Sequence, residues 1–287
     1  MDLMVDFENL KVPYFIGEIG INHNGDLQVA KKLMDAVHAC GWDCAKFQKR
    51  NPDVCVPEHQ KGIMRKTPWG EMTYIEYKHR IELSGADYKY ISEYASEKPI
   101  DWSASAWDID SLNFLLERGS PFIKIPSAML TDDELLKEVV QSGVPIIAST
   151  GMSTLEEVDH AVDLLLRGRH KPVLMHTNSS YPTPVEELNL NLIPMIKERY
   201  GCVVGYSGHE SDLQPTVIAV ALGAQVIERH ITLSHDMWGT DQSASLEVHA
   251  MHMLRKRCDR INVMMGDPNK VVTQSEAPIR KKLRRKV

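Results

Sequence analysis

Two histidines stand where apolar, β-rich runs end: Cys202-Val-Val-Gly-Tyr-Ser-Gly-His209 and Gln225-Val-Ile-Glu-Arg-His230. The runs lie one strand–helix unit apart, so on neighbouring parallel strands both imidazoles would emerge at one rim, within reach of a shared cation. Imidazole is the commonest metal ligand and suits several divalent first-row metals. Two protein ligands leave positions for water and a substrate oxygen, so the cation could act as a Lewis acid on a carbonyl. A single such histidine reads as a satisfied core imidazole; the pair at equivalent positions reads as metal ligation. His176, inside an apolar run, and His23, in a loop, compete as ligands.

Lys46 and Lys124 also lie inside apolar runs, and a buried ammonium needs an anion to justify its burial. Ser105, Ser127, Ser149, Ser179 and Ser207 fall at the ends of such runs, and lysines with hydroxyls make a phosphate pocket. Schiff-base chemistry or a salt bridge to Glu18 is the competing account of Lys46, and strand-end capping that of each serine. Convergence favours the anion site, because five strands each offer a donor at the same rim.

These residues need a scaffold that gathers strand ends. Eight runs rich in β-branched and aromatic residues recur: Tyr14–Ile19, Cys44–Gln48, Trp102–Ala106, Phe122–Pro126, Pro145–Thr150, Pro172–Thr177, Cys202–Ser207 and Gln225–Ile231. Amphipathic stretches separate them, among them Leu27–Ala39, Ser111–Glu117, Asp132–Gln141, Leu155–Leu166, Pro184–Glu198 and Leu213–Leu222. Strands alternating with helices imply βαβ units and a parallel sheet. Eight units over about 250 residues predict an α/β protein of the (β/α)8 TIM-barrel type, with its active site at the C-terminal strand ends. An open dinucleotide-binding sheet is disfavoured, since Gly20-Ile-Asn-His-Asn-Gly25 lacks the required glycine spacing. The barrel is expected over residues 1–270, with a basic tail at 271–287. The long insert Lys49–Asp101 is expected to fold over the barrel mouth.

Composition narrows the partners. A formal net charge of −6 over 287 residues argues against a nucleic-acid surface. The basic run Arg280-Lys-Lys-Leu-Arg-Arg-Lys286 reads as a solvated, disordered tail. Five cysteines without CxxC spacing imply neither a disulfide framework nor a zinc ribbon, which fits a reducing, cytoplasmic setting. The first residues carry no basic n-region or long apolar stretch, and no run approaches the roughly 20 residues that span a bilayer. A cytoplasmic protein with no membrane partner is expected.

Eight motifs, in order along nearly the whole chain, resemble the N-acetylneuraminate (sialic acid) synthase family: Glu18-Ile-Gly-Ile-Asn-His-Asn-Gly25, Lys46-Phe-Gln48, Lys124-Ile-Pro-Ser127, Ser149-Thr-Gly-Met152, Tyr181-Pro-Thr-Pro184, Ser207-Gly-His209, Glu228-Arg-His230 and Gly239-Thr-Asp241. Each alone is weak, and chance agreement of all eight is implausible. The resemblance implies condensation of phosphoenolpyruvate with an N-acetylated amino sugar to give a nine-carbon 2-keto acid and phosphate. It implies that His209 and His230 hold Mn2+ or Mg2+, and that Lys46, Lys124, Ser127, Ser149 and Ser207 hold phosphoenolpyruvate, with Ser105 and Ser179 assisting. Glu18 would be the acid/base, with Lys46 and Lys124 beside it at the reacting centre, and Gln48, Tyr181 and Asp241 would hold the sugar.

Two departures from the family pattern bear on the acceptor. Where many relatives place an acidic sugar contact, this chain has Met129 after Ala128, so one acceptor hydroxyl lacks that partner and the acceptor is N-acetylmannosamine or a related modified amino sugar. The family also continues into an antifreeze-like domain beyond the point where this sequence stops, Val287. That domain is then a separate polypeptide, or the acceptor site is completed in another way, or activity is reduced. By resemblance a homodimer is expected. A pyruvate-dependent Schiff-base aldolase and a non-catalytic phosphoenolpyruvate-binding relative are the competing readings.

Overall fold

The computed structural model describes residues 4–285; residues 1–3 of the N-terminal segment, and Lys286 and Val287 at the end of the basic run, lie outside the described residues. Eight parallel strands follow one another around a closed barrel: Tyr14–Gly20, Cys44–Lys49, Asp101–Ala106, Ile123–Ile125, Ile146–Ser149, Val173–Thr177, Val203–Gly208 and Val226–Thr232. Closure is direct, since Tyr14 pairs with Val226 and Glu18 with His230 across the seam. Most of these strands are buried along their whole length, as expected for a parallel sheet covered by helices. Each apolar run found in the sequence is a barrel strand, displaced by no more than a residue or two.

The helices begin where the sequence offers caps. Asp26, Asp108, Asp132 and Thr154 each accept a backbone N–H at the start of a helix, and Thr154 with Glu157 forms a capping box. Apolar faces of these helices pack on the outside of the strands in one continuous core. A second apolar cluster fills the lower barrel, where Phe7 packs edge-on against Tyr14 and Phe122 at 5.5 Å each. The barrel is therefore plugged by aromatic rings at its N-terminal end, leaving charge for the C-terminal end.

The insert after the second strand bridges that charged end. It contains two short helices, a hairpin (Met64–Thr67 with Gly70–Thr73) and a helix Tyr74–Ile81. Trp69 and Tyr77 of the insert meet Trp238, in the loop after the eighth strand, at 5.7 and 5.4 Å. Its last part, Gly85–Glu97, is simply the helix of the second βα unit.

Two expectations need correction. The stretch 184–198 is not one helix: a 3-10 turn at Val185–Glu187 is followed by a helix Leu192–Tyr200. Asn189 takes φ +45° between them, a left-handed conformation that asparagine tolerates and a helix interior does not. The basic run is not without structure, since Glu276–Leu283 forms a helix. Its residues are nearly all exposed.

Candidate active site

Side chains alternate across a strand, so residues two apart share a face. On the eighth strand this sends Glu228 and His230 inward and Arg229 outward. Arg229 is fully buried there, paired with Glu210 at 2.9 Å and donating to Thr216 Oγ1 at 2.8 Å. Lys46 and Gln48 share the inner face of the second strand, and Ser105 and Lys124 are paired across the third and fourth.

These inward residues meet in a cavity of about 200 Å³ at the C-terminal end of the barrel. Its lining includes Glu18, Lys46, Gln48, Ser105, Lys124, Ser127, Ser149, Ser179, Tyr181, Ser207, His209 and His230. Thus twelve of the thirteen site residues read from the sequence line one space. The thirteenth, Asp241, lies on the neighbouring loop with its carboxylate 3.9 Å from His230 Nδ1.

Charge is concentrated on one side. Lys46 Nζ lies 2.5 Å from Glu18 Oε2 and 2.9 Å from Ser105 Oγ. Lys124 Nζ donates to Ser149 Oγ at 2.7 Å. Glu228 sits between the two ammonium groups, 3.6 Å from Lys46 and 3.8 Å from Lys124, and Ser207 Oγ donates to it at 3.3 Å. The sequence reading placed Glu228 in the Glu228-Arg-His230 motif without a role. The signal was its spacing of two from His230, which puts both on the inner face.

The electrostatics follow from burial. Loss of water pushes the Lys124 ammonium down to about 8, against the pull of Glu228. Burial would lower Lys46 as well, but Glu18 and Glu228 outweigh it and hold that ammonium above its ordinary value. Glu18 is raised above the carboxylate range by burial, against Lys46. Burial would raise Glu228 too, yet Lys124 and Lys46 hold it below the ordinary range. Two ammonium groups, two carboxylates of unlike affinity for protons and a ring of hydroxyls can bind an anion and move a proton.

Backbone orders these hydroxyls. Gly151 N donates to Ser127 Oγ at 3.2 Å. A Cβ on Gly151 would come within 2.4 Å of Ser179 Oγ and 2.8 Å of Ser127 Oγ, so only glycine lets these hydroxyls converge. Ser103, in the middle of the third strand, is structural and bonds Ser120 Oγ and the Phe122 carbonyl.

The histidines occupy the other side. Their rings are 5.4 Å apart, and the Tyr181 ring lies tilted against His209 at 4.0 Å. His209 Nδ1 bonds the Asn178 carbonyl at 2.6 Å, which fixes the tautomer and leaves Nε2 with its lone pair. Burial and the His230 imidazole push His209 down to about 3, so it is neutral, the form that ligates. His230 Nδ1 is buried without a hydrogen-bond partner. This donor set fits a divalent cation with open coordination positions, although no cluster of three or more His, Cys, Asp or Glu suited to a metal occurs among the described residues. The competing histidines are structural. His176 bonds the Leu188 carbonyl at 2.7 Å, and His23 Nδ1 accepts from Gly25 N at 3.0 Å.

Similarity to known proteins matches this arrangement. The N,N'-diacetyllegionaminic acid synthase of Campylobacter jejuni is 34% identical over 93% of this chain and 81% of its own length. The human N-acetylneuraminate-9-phosphate synthase is 34% identical over 96% of this chain and 77% of its own. Among solved structures, an N-acetylneuraminic acid synthetase from Leptospira borgpetersenii superposes with a TM-score of 0.85 at 27% identity, covering 98% of both chains. Residues 33–270 match the NeuB family, and with these likenesses over most of its length the chain belongs to that family.

Proposed function

We propose that the protein condenses phosphoenolpyruvate with an N-acetylated amino sugar, giving a nine-carbon 2-keto sugar acid and phosphate. The observation that carries this reading is Lys46 and Lys124 beside converging serines, facing the two imidazoles of His209 and His230 across one cavity. One half suits a phosphate monoester with a carboxylate. The other suits a carbonyl-bearing acceptor.

In the reaction, C3 of phosphoenolpyruvate bonds to the aldehyde carbon, water adds at C2, and the C2–O bond to phosphate breaks. Lys124, Ser149 and Ser127, the last oriented by the Gly151 N–H, hold the anion, and fixed donors of this kind supply the largest catalytic effect. Lys46 lies between Ser105 and Glu18 and keeps the carboxylate of Glu18 oriented. Glu18, with its raised affinity for protons, gives one to the aldehyde oxygen or takes one from the attacking water. Gln48, Tyr181 and Asp241 orient the sugar. A divalent cation, Mn2+ or Mg2+, held by His209 and His230, would supply Lewis-acid polarisation of the aldehyde oxygen.

The test is phosphate release from phosphoenolpyruvate with N-acetylated amino sugars, with Mn2+ and with chelator, for wild type, His209→Ala and His230→Ala. Release that needs both imidazoles and the cation supports the reading. Borohydride trapping of pyruvate on Lys46 or Lys124 would overturn it in favour of a Schiff-base aldolase.

A further inference from the structure

Each of the two imidazoles has a charged neighbour in the chain: Glu210 follows His209, and Arg229 precedes His230. Both neighbours are buried, and on the outer side of the barrel Arg229 Nη1 lies 2.9 Å from Glu210 Oε1. One ion pair therefore joins the residues that adjoin the two histidines.

The guanidinium does more than pair a charge. It donates to the Glu210 carbonyl, to the Asp212 carbonyl at 3.2 Å and to Thr216 Oγ1 at 2.8 Å. Two of these acceptors are backbone groups of the turn that leaves the seventh strand just past His209. The Glu210 carboxylate is held in turn by the Tyr206 hydroxyl, which donates at 2.9 Å. Gly208 makes room for it, since a Cβ there would lie 2.6 Å from Glu210 Oε2. The ladder between the seventh and eighth strands runs only as far as Gly208 with Arg229. Past that point the strands no longer hold His209 and His230 in relative place, and the Arg229 clamp takes over.

We infer that Arg229 and Glu210 are positioning residues that set the separation and aim of the two imidazoles, and with them the affinity for the divalent cation. The inference rests on the metal reading given above. Neither side chain touches substrate or cation; the effect of each passes through one peptide unit to the adjoining histidine. A buried ion pair adds little stability over apolar side chains of similar volume, so its use here is positional. Lys46, Lys124 and Ser149, on the second, fourth and fifth strands, lie outside the brace. Disturbing it should reach the cation and spare the anion.

The experiment titrates Mn2+ by calorimetry into the wild type, Glu210→Gln and Tyr206→Phe, and phosphoenolpyruvate into the same proteins with chelator present. Glu210→Gln keeps the shape and loses the charge, and should weaken Mn2+ binding by about tenfold or more, the scale set by outer partners of metal ligands. Tyr206→Phe removes one hydrogen bond to the carboxylate and should weaken it by roughly threefold. Phosphoenolpyruvate affinity should stay within about twofold in both, as for an independent site. Mn2+ affinity unchanged in both variants, or lost in step with phosphoenolpyruvate affinity, would overturn the inference and leave the metal reading standing. A wild type that binds no Mn2+ would overturn both. If Glu210→Gln does not fold, Tyr206→Phe decides alone.

Discussion

Arg50 donates to the side-chain oxygen of Gln48, and this decides which way the Gln48 amide faces: its Nε2 donates to Glu18 Oε1 at 3.2 Å. A donor aimed at a carboxylate favours its charged form. Gln48→Met should therefore raise the affinity of Glu18 for its proton. The acid limb of the kcat/KM profile should move up, on the order of one pH unit, as Glu18 becomes a carboxylate only at higher pH. An unmoved limb would detach Gln48 from Glu18.

The same guanidinium ties the start of the insert to its later part through Glu82, at 2.7 Å with both groups nearly buried. Removing one partner of a buried pair leaves an uncompensated charge and costs about 3–5 kcal/mol. Arg50→Met should show a loss of that size in chemical denaturation. The double variant Arg50→Met with Glu82→Gln should recover part of it, whereas additive losses would mean the pair is not coupled.

Lys124 titrates early because it is dry. It is a cation below about pH 8 and neutral above, and the proposed reaction needs the cation to hold its anionic substrate. Expected is a kcat/KM for phosphoenolpyruvate with an alkaline limb that falls away above about pH 8. Lys124→Arg keeps its charge to far higher pH, so the decline should vanish even if the absolute rate drops. A decline that persists in this variant would assign it to another group.

Gly151→Ala tests the cradle. The added methyl lands on Ser179 Oγ, Thr177 Cγ2 and Ser127 Oγ, all under 3.0 Å, so the hydroxyls must separate. Affinity for phosphoenolpyruvate should fall by roughly tenfold or more, in keeping with lost charge-assisted contacts. Calorimetric titration reads this directly, and unchanged affinity would remove these serines from the anion site.

The scaffold was legible because a parallel barrel strand is buried on both faces and must be an apolar run. Lys46, Lys124, His209 and His230 were then conspicuous as polar residues inside or at the ends of such runs. Glu228 was less so, because an acid between two lysines is recognised only once strands two, four and eight are folded together. The interior of the insert was opaque. Its short helices and hairpin are held by single contacts such as Arg50 with Glu82 and Trp69 with Trp238, made between segments distant in sequence. The break at Asn189 was hidden for a related reason: an apolar period continues through 184–198, while one residue with positive φ divides it.

The outward clamp of Arg229 has a consequence for how the barrel can close. A slip of one residue in the eighth strand would turn every side chain to the opposite face. Arg229 would enter a chamber that already holds Lys46 and Lys124, while Glu228 and His230 would be driven into the outer layer against Glu210. Seam, charge balance and reaction centre are thus verified by the same three consecutive residues. A misclosed barrel would be electrostatically self-rejecting, so the strand works as a checksum, and the chain has little room for a folded but misregistered population.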